Sequence, residues 1–359
     1  MTLVERAGQP KVDPGRPWWR SAVGYEVYLR SVADGNADGV GDLVGLADRL
    51  DHLAWLGVDM VWITPFYPSP MADYGYDVAD YTDVDPLFGT LADFDRVVER
   101  AHELDLRVLV DLVPNHTSDR HAWFEQARRS RDDPHRDFYI WRDPAPDGGP
   151  PNNWISYFGG SAWTLDETTG QYYLHLFLPE QPDLNWRNPA VLEAFDRVLD
   201  FWLDRGVDGF RIDVAQALVK DAELRSNPQV GPFDPDADRW AQWFAFEHRH
   251  DVLQPESAAI FARWNRLVGA RDAMLLGEVY ALEPDLMAPL LGDGRLHTGF
   301  WFGPMHMPWD AHEIRATLTA PSALGPAVGW VQSSHDEPRP VTRFGGGSQG
   351  RDRALALMT

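Results

Sequence analysis

Short apolar runs alternate along this chain with longer stretches in which apolar residues recur every three or four positions. AVGYEVYLRS (22–31) predicts a first strand, and DLVGLADRLDHLAWLG after it sets Leu43, Leu46, Leu50, Leu53 and Leu56 at helical spacing. VDMVWI (58–63) predicts a second strand, LADFDRVVERAHELD a second helix and LRVLVDLV (106–113) a third strand. From residue 118 the alternation gives way to a long stretch rich in Pro, Gly, Asp and aromatics, too long for a plain connection inside a compact domain. It resumes with a helix over 189–205 and strands over 207–213, 273–279 (AMLLGEV), 297–302 (HTGFWF) and 327–334 (AVGWVQSS). The expected organisation is a main domain over 1–117 and 187–359 interrupted by a small inserted domain over 118–186.

Parallel strands with intervening helices build either an open doubly wound sheet or a closed barrel. No Gly-rich phosphate turn follows an early strand, and polar residues cluster just past strand C-termini: Asp111, Asn115 and His116, then Arg211 and Asp213, then Glu278, then His335 and Asp336. That distribution favours the barrel, where all of them face one bowl.

Charge removes several partners. Lys+Arg 32 against Asp+Glu 55 gives a formal net charge of −23, which repels phosphate backbones and anionic lipid, so neither nucleic acid nor a membrane surface is an expected partner. With Cys 0, disulfides and thiolate nucleophiles are excluded. MTLVERAGQPKVDPGRPWWR carries no apolar core of signal-peptide length and no later run is long enough to span a bilayer, so a cytoplasmic location is expected.

GVDGFRIDVAQALVK (206–220) buries Arg211 and Asp213 on one face of a strand, where both are expensive to desolvate. Taken alone, the pair reads as a structural ion bridge closing a barrel layer. DLVPNHTS, GFRIDVA, GEVY and SHDEPR, however, resemble the four conserved regions of the α-amylase superfamily, glycoside hydrolase family thirteen, in the family's order. QPDLNW (181–186) resembles the fifth, and its leading Gln181 is similar to the α-glucosidase and oligo-1,6-glucosidase branch.

The resemblance implies a retaining, exo-acting α-glucosidase on short malto- or isomalto-oligosaccharides, with Asp213 as nucleophile, Glu278 as acid and Asp336 as the third carboxylate. Retention requires two carboxyl groups about 5 Å apart. Arg211 is expected to keep Asp213 ionised by lowering its pKa, and apolar surroundings to raise that of Glu278. The resemblance further implies sugar contacts from Asp73 and Tyr76 in MADYGYDVADY (71–81), and from His116, Gln181, Arg211, His335 and Arg339. Phe158 and Phe177 either line the pocket or form the small core of the inserted domain. Glu26 and Asp59 read as structural or solvated. Ser334 stands where relatives usually carry Asn.

DGNADGVGDL (34–43) spaces oxygen donors Asp34, Asn36, Asp38 and Asp42 among glycines, with the Val40 carbonyl between, which suits a hard cation. It resembles the calcium or magnesium loop of oligo-1,6-glucosidases, so a structural Ca2+ or Mg2+ is expected, with an unloaded acidic turn as the alternative. No organic cofactor is expected. RDRALALMT is expected to lie in the helix after the seventh strand, so the family's eighth strand, eighth helix and C-terminal β-sandwich are expected to fall outside this sequence, which is then either a fragment of a longer protein or a chain that closes itself some other way. The expected fold is thus a TIM (β/α)8-type barrel lacking its eighth βα unit. Two other functions stay open: a glucosyl-transferring or isomerising relative such as a trehalose synthase, and an interaction protein without catalysis.

Overall fold

A computed structural model describes residues 16–281, 283–292 and 294–358. The first fifteen residues, part of the stretch read for a leader, lie outside the described residues, as does Thr359 at the end of RDRALALMT. No helix among the described residues is long and apolar enough to cross a membrane.

Seven parallel strands form the main sheet: β1 (Gly24–Val27), β2 (Met60–Ile63), β3 (Arg107–Leu112), then, after three strands of the insertion, β7 (Gly209–Ile212), β8 (Met274–Gly277), β9 (Thr298–Trp301) and β10 (Val328–Trp330). They lie side by side in chain order, as in a (β/α)8-type barrel, with β1 and β10 as the edges among the described residues. The sheet is curled enough that His335, just beyond β10, hydrogen-bonds Glu26 on β1. β7 and β8 are buried along their whole length and β2 and β3 beyond their first residue, which is why they read as continuous apolar runs. Gly209 lets β7 approach β8, since a Cβ there would meet the Met274 carbonyl oxygen at 2.5 Å.

The helices carry the capping chemistry their sequences suggest. Leu43–Leu56 begins at Asp42, whose side chain accepts from Gly45 N, and ends at Gly57 in the left-handed region. Leu43, Leu46, Leu50 and Leu53 are buried, but Leu56 at the last turn is exposed because the apolar stripe has rotated off the sheet. Leu91–Glu103 starts with a Thr90/Asp93 capping box. Pro189–Asp204 has Asn188 as its cap and Pro189 in its first turn.

Two expected strands are shorter than the apolar pattern. Residues 29–32 form a helical turn, and residues 331–336 leave the sheet as a loop carrying Ser334, His335 and Asp336. Between β3 and β7 lies a three-stranded antiparallel sheet, β4 (Trp141–Arg142), β5 (Trp163–Asp166) and β6 (Gln171–Leu174), in the order β4-β6-β5. Its apolar cluster, with Trp154, Trp163, Leu174 and Leu176, also takes in Val214, Ala217 and Leu224 from the segment after β7.

Candidate active site

Register sets the centre of the bowl. β3 and β7 pair so that Asp111 lies beside Arg211, and Asp213 follows two residues on, facing the same side. The Arg211 side chain is only 2% exposed, yet its guanidinium serves three carboxylates: Nη1 donates to Asp111 Oδ1 at 2.9 Å and Asp213 Oδ1 at 2.5 Å, and Nη2 lies 2.8 Å from Glu278 Oε2. Its flat face covers the Trp62 ring at 4.7 Å. The Trp62 indole N–H in turn donates to Asp111 Oδ2 at 3.1 Å.

One guanidinium against three carboxylates sets the protonation of the cluster. Burial pushes Asp111 up to about 6 and Asp213 well above the carboxylate range, with Arg211 opposing in both cases. The expectation that Arg211 alone would hold Asp213 low is therefore corrected: desolvation and the neighbouring charges of Glu278 and Asp111 outweigh it.

Glu278 also differs from expectation. Rather than sitting in apolar surroundings, its Oε2 meets Arg211 and accepts from Val214 N at 3.0 Å. Val214 adopts φ 44° and ψ 44°, unusual for a β-branched residue, and its conformation is fixed on both sides because Ala215 N also donates to the Glu278 carbonyl.

The loop after β2 and the insertion close one side of the bowl. Tyr76 directs its hydroxyl to Asp111 Oδ2 at 3.1 Å. Gln181 Nε2 donates to Asp73 Oδ2 at 2.9 Å and lies 3.0 Å from His116 Nε2. Burial and the charge of Lys220 push the His116 pKa down to about 3, so the ring is neutral. Phe177 packs on His116 with ring centres 5.1 Å apart. Phe158 stands farther out, 40% exposed, edge-on to Phe177 and under the Arg239 guanidinium.

On the opposite side, His335 lies between Glu26, Tyr28, Tyr76 and Asp336. The Asp336 side chain is 63% exposed at the mouth. Ser334 compensates locally for the expected Asn, since its Oγ accepts from Asp336 N at 3.2 Å. Arg339 is not gathered into the centre: it is exposed and donates to Ser333 Oγ and the Ser334 carbonyl.

The side-chain oxygens expected to hold a cation accept hydrogen bonds from nearby backbone N–H groups. Asp34 accepts backbone N–H groups from Asn36, Ala37, Asp38 and Gly39, Asn36 accepts from Asp38 N, and Asp38 from Val40 N. Asp42 spends one oxygen on Gly35 N and the other on Gly45 N, as a helix cap. Among the described residues no group of three or more His, Asp or Glu side chains has metal-holding geometry. The hard-oxygen donor set suits calcium or magnesium, and nothing at the carboxylate cluster depends on such an ion.

Several residues of the site carry no local sign of their role. Asp111 is the second anchor of Arg211, and Glu26 holds His335. Lys220, 1% exposed, pairs with Asp183 at 2.7 Å and donates to Asn115 at 2.6 Å, tying QPDLNW to the segment after β3 that carries His116. The signal available for these was a charged residue within an apolar run, which marks burial without naming the partner.

A family model described as "Alpha amylase, catalytic domain" matches residues 26–359. A probable alpha-glucosidase of Rhizobium meliloti is 44% identical over 100% of this chain and 67% of its own length. An oligo-1,6-glucosidase of Heyndrickxia coagulans is 40% identical over 91% of this chain and 61% of its own. The crystal structure of an alpha-glucosyl transfer enzyme superposes with TM-score 0.86 at 45% identity, covering 93% of this chain and 64% of that one. The chain thus spans about two thirds of the length of such relatives.

Proposed function

This chain belongs to the α-amylase catalytic-domain family, and from that membership we propose that it is a retaining, exo-acting α-glucosidase of short α-linked glucose oligosaccharides. The observation that carries the reading is the single buried guanidinium of Arg211 holding Asp213 and Glu278 on its two terminal nitrogens. Two carboxyl groups gripped in this way are close together, as a double displacement through a covalent intermediate requires.

In the first step Asp213 attacks the anomeric carbon. Arg211 occupies Oδ1, which leaves Oδ2 as the attacking atom. The glycosidic C–O bond breaks as Glu278, acting as the acid, gives a proton to the departing oxygen. In the second step a water gives its proton to Glu278 and its oxygen to the same carbon, releasing the Asp213 carboxylate and glucose with its configuration retained. Asp73, Gln181, His116 and Tyr76 bind the terminal glucose, supported by the hydrogen-bonded wall they form, and Asp336 meets its hydroxyls from the exposed side. A divalent cation at the Asp34–Asp42 loop has a structural role in this reading.

Transfer of the glucosyl unit to a second sugar is the alternative, favoured by the similarity to an alpha-glucosyl transfer enzyme at 45% identity. The two share their first step and differ in what reaches the intermediate. Incubation with p-nitrophenyl α-glucoside, with Asp213→Asn as control, tests the first step. Maltose as sole substrate separates the outcomes: glucose alone means hydrolysis, whereas a new di- or trisaccharide means transfer. No turnover of either substrate by the folded chain would reject both.

A further inference from the structure

The polar side-chain atoms in contact with the His335 ring nitrogens are all oxygens that can accept. Nδ1 lies 2.5 Å from Glu26 Oε1. Nε2 lies 3.2 Å from the Tyr76 hydroxyl and 3.4 Å from Asp336 Oδ1. The Tyr76 proton is already given to Asp111 Oδ2 at 3.1 Å, so toward His335 that hydroxyl presents a lone pair. An imidazole meets acceptors on both sides only when both nitrogens carry protons. The ring is also stacked between two tyrosines, Tyr28 at 5.5 Å and 21° and Tyr76 at 5.6 Å and 19°, whose faces favour a cation.

We propose that Glu26 is a positioning residue of this site: by accepting from Nδ1 it holds His335 doubly protonated, so that a charged Nε2–H faces the bowl between Tyr76 and Asp336. The proposal rests on the carbohydrate reading above and adds a residue and a charge state to it. His335 and His116 then differ in kind, one cationic and one neutral. Burial alone would lower the pKa of His335, but the Glu26 hydrogen bond and the charges of Asp336 and Glu26 raise it overall, with Arg211 opposing.

The groups around the ring are Glu26 on β1, Tyr28 just after it, Tyr76 on the loop after β2 with Asp111 behind it on β3, Arg211 on β7, and Asp336 on the ring's own loop. Loss of one proton at alkaline pH would set a nitrogen lone pair against Glu26, or against Tyr76 and Asp336, and undo the arrangement.

Glu26→Gln keeps the shape and removes the charge. The imidazole resonances of the whole chain are titrated by 15N-edited NMR, His335 being assigned by its disappearance in His335→Gln. The expected result is a His335 titration about one pH unit lower in the variant, with a parallel shift of the alkaline limb of kcat/KM and a loss of about tenfold on that limb. At acid pH, where the ring is charged in both proteins, the rates converge. An unchanged titration in Glu26→Gln, or a wild-type ring with a single N–H at neutral pH, overturns the proposal. If the chain turns over no glucoside at any pH, the NMR titration still decides the role of Glu26, and the failure belongs to the glucosidase reading.

Discussion

Replacing Arg211 by Met removes the guanidinium that contacts Asp111, Asp213 and Glu278 while keeping an apolar stem against Trp62. With Arg211 2% and Asp111 0% exposed, the loss falls in the range for breaking a buried ion network, about 3–5 kcal/mol. For 359 residues the unfolding entropy is about 0.75 kcal/mol per degree, so Tm falls by about 4–7 °C near pH 8. The loss depends on pH. Asp111 and Asp213 have folded-state pKa values raised above the unfolded ones, so between the ordinary carboxylate value and the raised one the folded chain binds more protons, and stability falls as pH rises. Removing Arg211 raises those folded values further and extends the fall to higher pH. Thermal melts of wild type and Arg211→Met at about pH 5 and about pH 8 should therefore show a difference in Tm that grows with pH. Equal Tm values at pH 8, or a difference independent of pH, would refute the idea that this guanidinium neutralises the cluster.

Other consequences can be checked with the same melts. Lys220→Met leaves Asp183 buried without its cation and should cost about 3–5 kcal/mol, part of which Lys220→Met with Asp183→Asn recovers; equal losses in single and double variants would contradict a charge role. His116 refuses a proton that the unfolded chain takes near 6.5, so its contribution is complete above that value and is lost as pH falls toward about 3. His116→Gln should accordingly flatten the acid side of the stability profile, and a profile of unchanged slope would count against a neutral His116. If the Asp34–Asp42 loop takes a cation, calcium at a hundredfold over its Kd adds about 2.7 kcal/mol, a rise in Tm of about 3–4 °C that Asp34→Ala abolishes. No rise at millimolar calcium would leave the loop as a backbone-satisfied acidic turn.

Much of the barrel was legible because parallel strands buried on both faces read as unbroken apolar runs and the helices between them carry leucines at helical spacing. Strand ends were less so. The strand expected over 327–334 ends at Trp330, where the chain leaves the sheet to bring His335 across to Glu26; the polar Gln332, Ser333 and Ser334 mark the exit but not where it leads. The carboxylates could be found as charges at the ends of apolar runs, whereas their partners could not: Glu26 and His335 are 309 positions apart, and Asp111 and Arg211 are 100. The protonation of Asp213 was misjudged because Arg211 is visible beside it in the sequence and the burial opposing it is not. In the Asp34–Asp42 loop the donor spacing was plain, but the same aspartates are equally suited to accept nearby backbone N–H groups, and here they do.

The central claim is that Asp213 forms a covalent bond to glucose. It is tested by incubating the chain with 5-fluoro-α-glucosyl fluoride, which allows the intermediate to form but slows its breakdown, followed by peptide mass spectrometry. A fluoroglucosyl adduct on Asp213, absent in Asp213→Asn, is the predicted result. Turnover without an adduct and with inverted configuration at the anomeric carbon, or an adduct on another carboxylate, would contradict it.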